Sequence, residues 1–261
     1  MDLGLRGKVA MVSGGGRGIG LAIAELFAEE GANVSICSRN GDALQQAAAG
    51  IEKRDRVRCL AVAGDLTEQG AVESWIDRTR REFGKIDILV NNASATRGGK
   101  FIEVPADVLE LGLALKLYGY LDLARAVVPV MRDQAQGSIV NIIGVTGTQP
   151  APGGIIGALA GAALINFTKA LSDEVIGMGI RVNAVSPGLT ATHRRTAILD
   201  AFMKSGMTAT EAEEASVRGI PIARAADPQE IASVAVFVAS ERASYMVGTT
   251  VNVDGGHVRG I

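Results

Sequence analysis

Short Val- and Ile-rich runs alternate with longer amphipathic segments along nearly the whole chain. Lys8–Ser13, Asn33–Ser38, Arg58–Ala63, Ile86–Asn91, Gly137–Ile143, Arg181–Ser186 and Thr249–Val253 read as strands. Most are continuous apolar runs bounded by Gly, Asn or Asp, the pattern of strands covered on both faces. Ile19–Glu30, Asp42–Lys53, Ala71–Phe83, Ala106–Asp133, Gly157–Met178 and Gln229–Ser240 carry helical periodicity. Strands alternating with helices imply βαβ units, hence a parallel seven-stranded sheet with helices on both faces. One stretch breaks the alternation. Residues 190–226 are polar, helical in places and follow a strand end, which suits a lid or insertion over a substrate site.

Composition narrows this further. The chain has 261 residues, 48% hydrophobic and 21% charged, which suits one α/β domain over 1–261 with a sizeable core. Its 33 glycines and 4% aromatic content point to tight turns and close element packing rather than an aromatic binding platform. A formal net charge of −2 with no basic block argues against a nucleic-acid partner. The first residues lack a signal-peptide pattern, and no run reads as a membrane span. Cys37 and Cys59 have no metal-type spacing and read as reduced, buried thiols of a cytoplasmic protein.

The first strand runs into Ser13-Gly-Gly-Gly-Arg17-Gly-Ile19-Gly20 and then a helix. Gly14, Gly18 and Gly20 let the backbone turn sharply and approach a pyrophosphate, while the helix start offers free N–H groups and the positive end of its dipole. This is a doubly wound, Rossmann-type dinucleotide site. An NAD site commonly places an acid after the second strand; here Ser38 and Arg39 follow it, with Arg17 in the glycine loop. Two guanidinium groups and no carboxylate favour the 2′-phosphate of NADP(H) over NAD(H). Asp65 and Leu66 follow the third strand, where Asp65 serves as an adenine contact, a helix N-cap, or both.

Taken together these pieces resemble the short-chain dehydrogenase/reductase family over essentially the full length. Ser13–Gly20 is similar to the family's TGxxxGIG. Asn91-Asn92-Ala93-Ser94 is similar to NNAG, departing at Ser94. Arg181–Gly188, ending in Pro187-Gly188, is similar to the strand and turn beside the nicotinamide, and Thr192 matches a carboxamide contact. Val253-Asp-Gly-Gly256 is similar to the C-terminal VDGG. The resemblance implies small-molecule redox chemistry and a homotetramer or homodimer, with no metal. It also implies an Asn-Ser-Tyr-Lys tetrad, and here the chain departs. Lys116 stands at the Asn position, Gly144 at the Ser, Gly157 at the Tyr and Gly161 at the Lys.

General acid–base help is worth roughly 10²–10⁴-fold, so loss of these side chains removes the usual alcohol/ketone route. The glycines either serve close packing, since interior helical glycines cost about 1 kcal/mol each, or clear space beside the nicotinamide. Lys116 lies in the otherwise apolar LGLALKLYGYLDLA, with Tyr120 one turn on. Its ammonium is expected to reach the space left by Gly161 and Gly157. His193, beside Thr192, is a further proton-carrier candidate; His257 reads as structural or a subunit contact. Arg97, Arg194 and Arg195 suit an acidic substrate, and Thr146, Thr148 and Gln149 offer hydroxyl or amide contacts. Three functions remain open: an NADP(H)-dependent oxidoreductase of a small carbonyl, alcohol or enone with a rearranged proton path; a non-redox lyase, hydrolase or isomerase on the same scaffold; and a silent nucleotide-binding or regulatory subunit.

Overall fold

Along β1 (Val9–Ser13) every residue is buried; the fourth and fifth strands show the same continuous burial, and the second is buried at all but its two end residues. A computed structural model describes residues 1–95 and 98–260. The strands β2 (Asn33–Ser38), β3 (Cys59–Ala63), β4 (Ile88–Asn91), β5 (Gly137–Ile142), β6 (Ile180–Pro187) and β7 (Thr250–Val253) join β1 in one parallel sheet of order β3-β2-β1-β4-β5-β6-β7. The period of two along each strand feeds two separate cores. Ala10, Val12, Ile88 and Val90 face α1 (Gly18–Glu29), α2 (Gly41–Asp55) and α9 (Pro228–Ala239). Met11 and Leu89 face α3 (Ala71–Phe83) and α5 (Gly119–Asp133), with Trp75, Leu123, Val127 and Met131 fully buried. The expected doubly wound α/β sheet with helices on both faces is therefore present, with strand ends within about two residues of the sequence reading.

Two segments differ from expectation. Ala106–Asp133 is not one uniform helix: α4 (Ala106–Leu113) passes through a π-turn at Ala114–Tyr118 into α5. The wider turn admits one extra residue per turn, so adjacent Leu115 and Lys116 both lie buried. Next, α6 spans Ile155–Val175, starting before Gly157 and ending in a 3₁₀ turn, Ile176–Met178. Gly153 lies outside it in a left-handed turn (φ 78°), while Gly157 and Gly161 lie within the helix. Finally, Ile155–Met178 is long and apolar enough to cross a membrane by length and composition, which the sequence reading missed. It packs instead beside β6, burying Ile156, Ala160, Gly161, Leu164, Thr168, Ser172 and Val175.

The segment 190–226 is closed at its base by a parallel bridge between Thr190 and Ala226. Ala191 N donates to Ala226 O at 2.8 Å, and Ala226 N donates to Leu189 O at 2.9 Å. Between these bonds lie α7 (His193–Lys204) and α8 (Ala209–Val217), tied together by Arg195 and Glu213. Thr208 and Glu211 start α8 with a reciprocal capping box. In the sheet, the chain reverses direction of winding between β1 and β4, and the loops after these strands part to leave a crevice.

Candidate active site at the sheet switch point

Ser13, the last residue of β1, sets the two loops of the crevice against each other. Its hydroxyl accepts from Asn92 N at 2.8 Å and Ala93 N at 3.0 Å, and it is fully buried. Asn92 Nδ2 returns a bond to Ser13 O at 3.0 Å. The glycine loop follows. A Cβ on Gly20 would stand 2.3 Å from Gly14 O and 2.4 Å from Asn92 Nδ2, so only glycine lets α1 start so close to β1. The residue before α1, Arg17, is extended and its side chain makes no cap bond, leaving the first-turn N–H groups directed at the crevice.

The crevice is a cleft of about 720 Å³. Gly14, Arg17, Gly18, Ile19, Ser38, Arg39, Asp65, Leu66, Asn92, Ala93, Pro187, Gly188 and Thr192 all line it. Gly20, also expected at the cofactor, does not line it; it acts through the close packing just described. Thr192 sits against the glycine loop, 3.3 Å from where a Gly18 Cβ would be. At the other end Arg39 pairs with Asp65 at 3.7 Å. Asp65 also accepts from Thr67 N at 3.0 Å and Thr67 Oγ1 at 2.8 Å. Burial works to raise the Asp65 pKa, but the Thr67 bonds and Arg39 outweigh it and hold the carboxyl below its ordinary value. Backbone cradle, uncapped helix start and guanidinium groups together fit a dinucleotide.

Toward the opposite end, a buried polar relay fixes the frame. Asn91 Nδ2 donates to Asn141 Oδ1 at 2.9 Å, Asn141 Nδ2 to Thr168 Oγ1 at 2.9 Å, and Thr168 Oγ1 to Leu164 O at 2.7 Å. This joins β4, β5 and α6, and so sets where α6 meets the loop after β5. Gly144 in that loop has φ 98°, a region that strains any residue with a Cβ. Gly161 does not face an open space. Its Cβ would lie 2.7 Å from Gly147 Cα and 3.0 Å from Gly147 N, so the backbone of the 3₁₀ turn Val145–Gly147 fills the volume that sequence reading left for Lys116. Gly157 does line the cleft, with Thr146 Oγ1 3.1 Å from its Cβ position.

Lys116 reaches the cleft wall from the π-turn, 7% exposed, and Nζ donates to Ile143 O at 2.5 Å. Burial, reinforced by the nearby Arg194 charge, pulls its pKa down to about 8. Tyr120 is 1% exposed, donates to Ile142 O at 3.1 Å and does not line the cleft. Burial pushes its pKa well above the ordinary value against the opposing influence of Arg194. The π-turn explains the divergence: it rotates Lys116 toward the cleft and leaves Tyr120 behind the wall, packed with Ile143, Leu164 and Ala184.

His193 opens α7 at the cleft, its pKa lowered by burial and by Arg17 and Arg194. Arg194 and Arg195 line the same wall. His257, expected to be structural or a subunit contact, also lines the cleft. Asp254 brings it there: Oδ1 accepts from Gly256 N at 2.9 Å and Oδ2 from Val258 N at 2.8 Å, while Gln149 Nε2 holds His257 O at 3.2 Å. Asn40, Leu115, Thr190 and Ile198 also line the cleft and were not singled out from sequence, since their residue types carry no motif. Arg97 lies outside the described residues. Cys37 and Cys59 are buried free thiols, each raised by burial to about 12. Among the described residues no three metal-binding side chains converge.

This geometry has clear relatives. The family profile described as Enoyl-(Acyl carrier protein) reductase matches residues 14–257. The 3-oxoacyl-[acyl-carrier-protein] reductase FabG of Chlamydia trachomatis is 34% identical over 249 residues, 95% of this chain and 96% of that protein. Oxidoreductase UcpA of Escherichia coli is 36% identical over 253 residues, 97% and 95% of the two chains. L-Sorbose reductase of Gluconobacter frateurii, solved with NADPH and L-sorbose, superposes with a TM-score of 0.95 at 36% identity over 100% of both chains. NAD+-bound xylitol dehydrogenase superposes at 0.90 with 29% identity, covering 97% of this chain and 99% of the other. Sheet order, switch-point cleft and sequence identity agree: the chain belongs to the short-chain dehydrogenase/reductase family of NAD(P)-dependent oxidoreductases.

Proposed function

We propose that this chain is an NADP(H)-dependent oxidoreductase of a small carbonyl, alcohol or enone that moves its proton by a route other than the family's usual one. The observation that carries the reading is a buried lysine on the wall of a complete dinucleotide cleft. Lys116 stands there with its pKa near 8, while the positions that resemble the Ser and Tyr of the tetrad are Gly144 and Gly157. Gly14, Arg17, Gly18, Ile19, Asn92, Ala93, Pro187, Gly188 and Thr192 hold the dinucleotide, and Ser38 and Arg39 take its 2′-phosphate, with Asp65 and Leu66 at the adenine. The neighbour with NADPH bound supports that preference, although the NAD+-bound relative shows that the scaffold carries either cofactor. When bound, the nicotinamide exchanges a hydride with the substrate carbon. Lys116 Nζ then faces the oxygen on that carbon, donating a hydrogen bond as charge develops and giving the proton from its ammonium form. His193 returns protons from solvent. Tyr120 supports the wall that holds Lys116.

Residues 190–226 act as a lid over a small-molecule substrate, and the protein works in the cytoplasm as a homotetramer or homodimer. Stopped-flow mixing with NADPH and a panel of ketoses, 2-oxo acids and thioester-linked 3-oxoacyl groups tests the reading. Oxidation of NADPH that falls at least about 100-fold in Lys116→Met supports it; full turnover in that variant refutes the proton path. A second reading has its own observation. Gly144 (φ 98°) and Gly161, packed on the Gly147 backbone, leave no easy place for a Ser or Lys. That arrangement suits a non-redox enzyme or a silent nucleotide-binding subunit, recognised by NADPH binding without NADPH oxidation.

A further inference from the structure

The charges on the cleft wall are unevenly divided. Among the described residues, Asp65 is the one carboxylate that lines the cleft, and it sits at the adenine end paired with Arg39. The half beyond the glycine loop carries Lys116, His193, Arg194, Arg195 and His257. Arg195 is engaged by Glu213 outside the cleft. Arg194 is open to solvent in the cleft yet enclosed by protein on most sides, and burial lowers its pKa. Its charge is felt at both Lys116 and His193. His257 adds a buried Nδ1 that meets no hydrogen-bond partner among the described residues. With no carboxylate among the described residues on that half, the wall presents a field of one sign to whatever enters, and an anion is the ligand that such a field favours.

We propose that the substrate is anionic: a carbonyl or hydroxy compound bearing an oxyanion group close to the reacting carbon, held by Arg194 and His257 while its carbonyl oxygen faces Lys116. This rests on the oxidoreductase reading and adds the substrate class. Arg194 and Lys116 line one cleft and the Arg194 charge acts on Lys116, so the compounds that fit carry the anionic group close to the carbonyl, as in a 2-oxo acid or a phosphate ester of a hydroxyketone. Arg194 comes from the first turn of α7, so substrate charge also draws the segment 190–226 onto the cleft. Redox chemistry balances without another reagent: a hydride from NADPH and one proton convert the carbonyl to the alcohol, leaving NADP+.

The test separates anion recognition from hydride transfer. Calorimetric titrations of the full-length protein saturated with NADP+ use three probes: oxamate, dihydroxyacetone phosphate and neutral dihydroxyacetone. Saturating NADP+ occupies the pyrophosphate subsite, so phosphate binding there is excluded. The expected result is that one anionic probe binds more than about tenfold tighter than dihydroxyacetone, and that Arg194→Gln removes the advantage. Arg195→Gln retains it. Tighter oxamate assigns a carboxylate; tighter dihydroxyacetone phosphate assigns a phosphate. Equal binding of all three probes, or an anionic preference that survives in Arg194→Gln, overturns the proposal. Failure of NADP+ itself to bind defeats the oxidoreductase reading instead. Oxamate titrated without cofactor then still decides the anion site by the same Arg194→Gln criterion. Circular dichroism of each variant checks the fold, and exposed Arg194 is a site where substitution spares the core.

Discussion

Lys116 makes the protein's stability depend on pH in a way that can be measured separately from any activity. Its side chain is 7% exposed, and burial with the Arg194 charge lowers its pKa from 10.5 to about 8. At pH 7 both folded and unfolded states bind the proton, and the folded state bears the full cost of a buried ammonium. A depression from 10.5 to about 8 corresponds to about 3 kcal/mol. Between pH 8 and 10.5 the unfolded chain still holds the proton while the folded protein has released it, so stability rises with pH. The gain is complete above about 10.5 and is lost as pH falls through about 8. Lys116→Met removes this dependence. It also strips Ile143 O of its Nζ partner, which costs about 1–3 kcal/mol at every pH and cancels in the comparison. Urea denaturation of both proteins at equal concentration, from pH 7 to 10.5, measures the gap. Wild type should gain about 3 kcal/mol on Lys116→Met across that range. A gap flat to within about 0.5 kcal/mol would refute a buried, proton-releasing lysine.

Other outcomes follow from the same geometry. Arg39→Gln removes the guanidinium at the end of β2 and should weaken NADPH binding by about 10–100-fold while leaving NADH nearly unchanged, read by fluorescence titration. Ser13→Ala deprives Asn92 N and Ala93 N of their acceptor and should lower stability by about 1–3 kcal/mol in thermal or urea melts; no change would show that the loops hold without it. Gly144→Ser must adopt φ 98° and should cost about 1–3 kcal/mol. Gly161→Lys meets the Gly147 backbone at 2.7 Å and should be more damaging than Gly157→Tyr, whose first contact is the Thr146 hydroxyl. Equal stability of Gly161→Lys and wild type would contradict the close approach.

The sequence by itself determined the layered sheet and the glycine loop that lines one end of the cleft. Strands covered on both faces must be continuously apolar, and a backbone that touches a pyrophosphate must be glycine, so both constraints are written in residue type at fixed spacing. Gly20 carries the same residue type for a different reason: it does not line the cleft, and Gly14 and Asn92 forbid a side chain there. The substrate end was decided by tertiary structure. The π-turn joins α4, which packs on α6, to α5, which packs on α3 and the sheet; Lys116 lines the cleft and Tyr120 lies behind the wall, although the two are one helical turn apart in sequence. The supposed space at Gly161 was filled by Gly147, a residue fourteen positions earlier that no helical periodicity brings near. His257 reached the cleft only because Asp254 and Gln149 fold the C-terminal segment back over it. Local pattern records what a residue's own backbone requires. Which side chains converge on a substrate depends on contacts between segments far apart in the chain, and those are fixed when the layers pack.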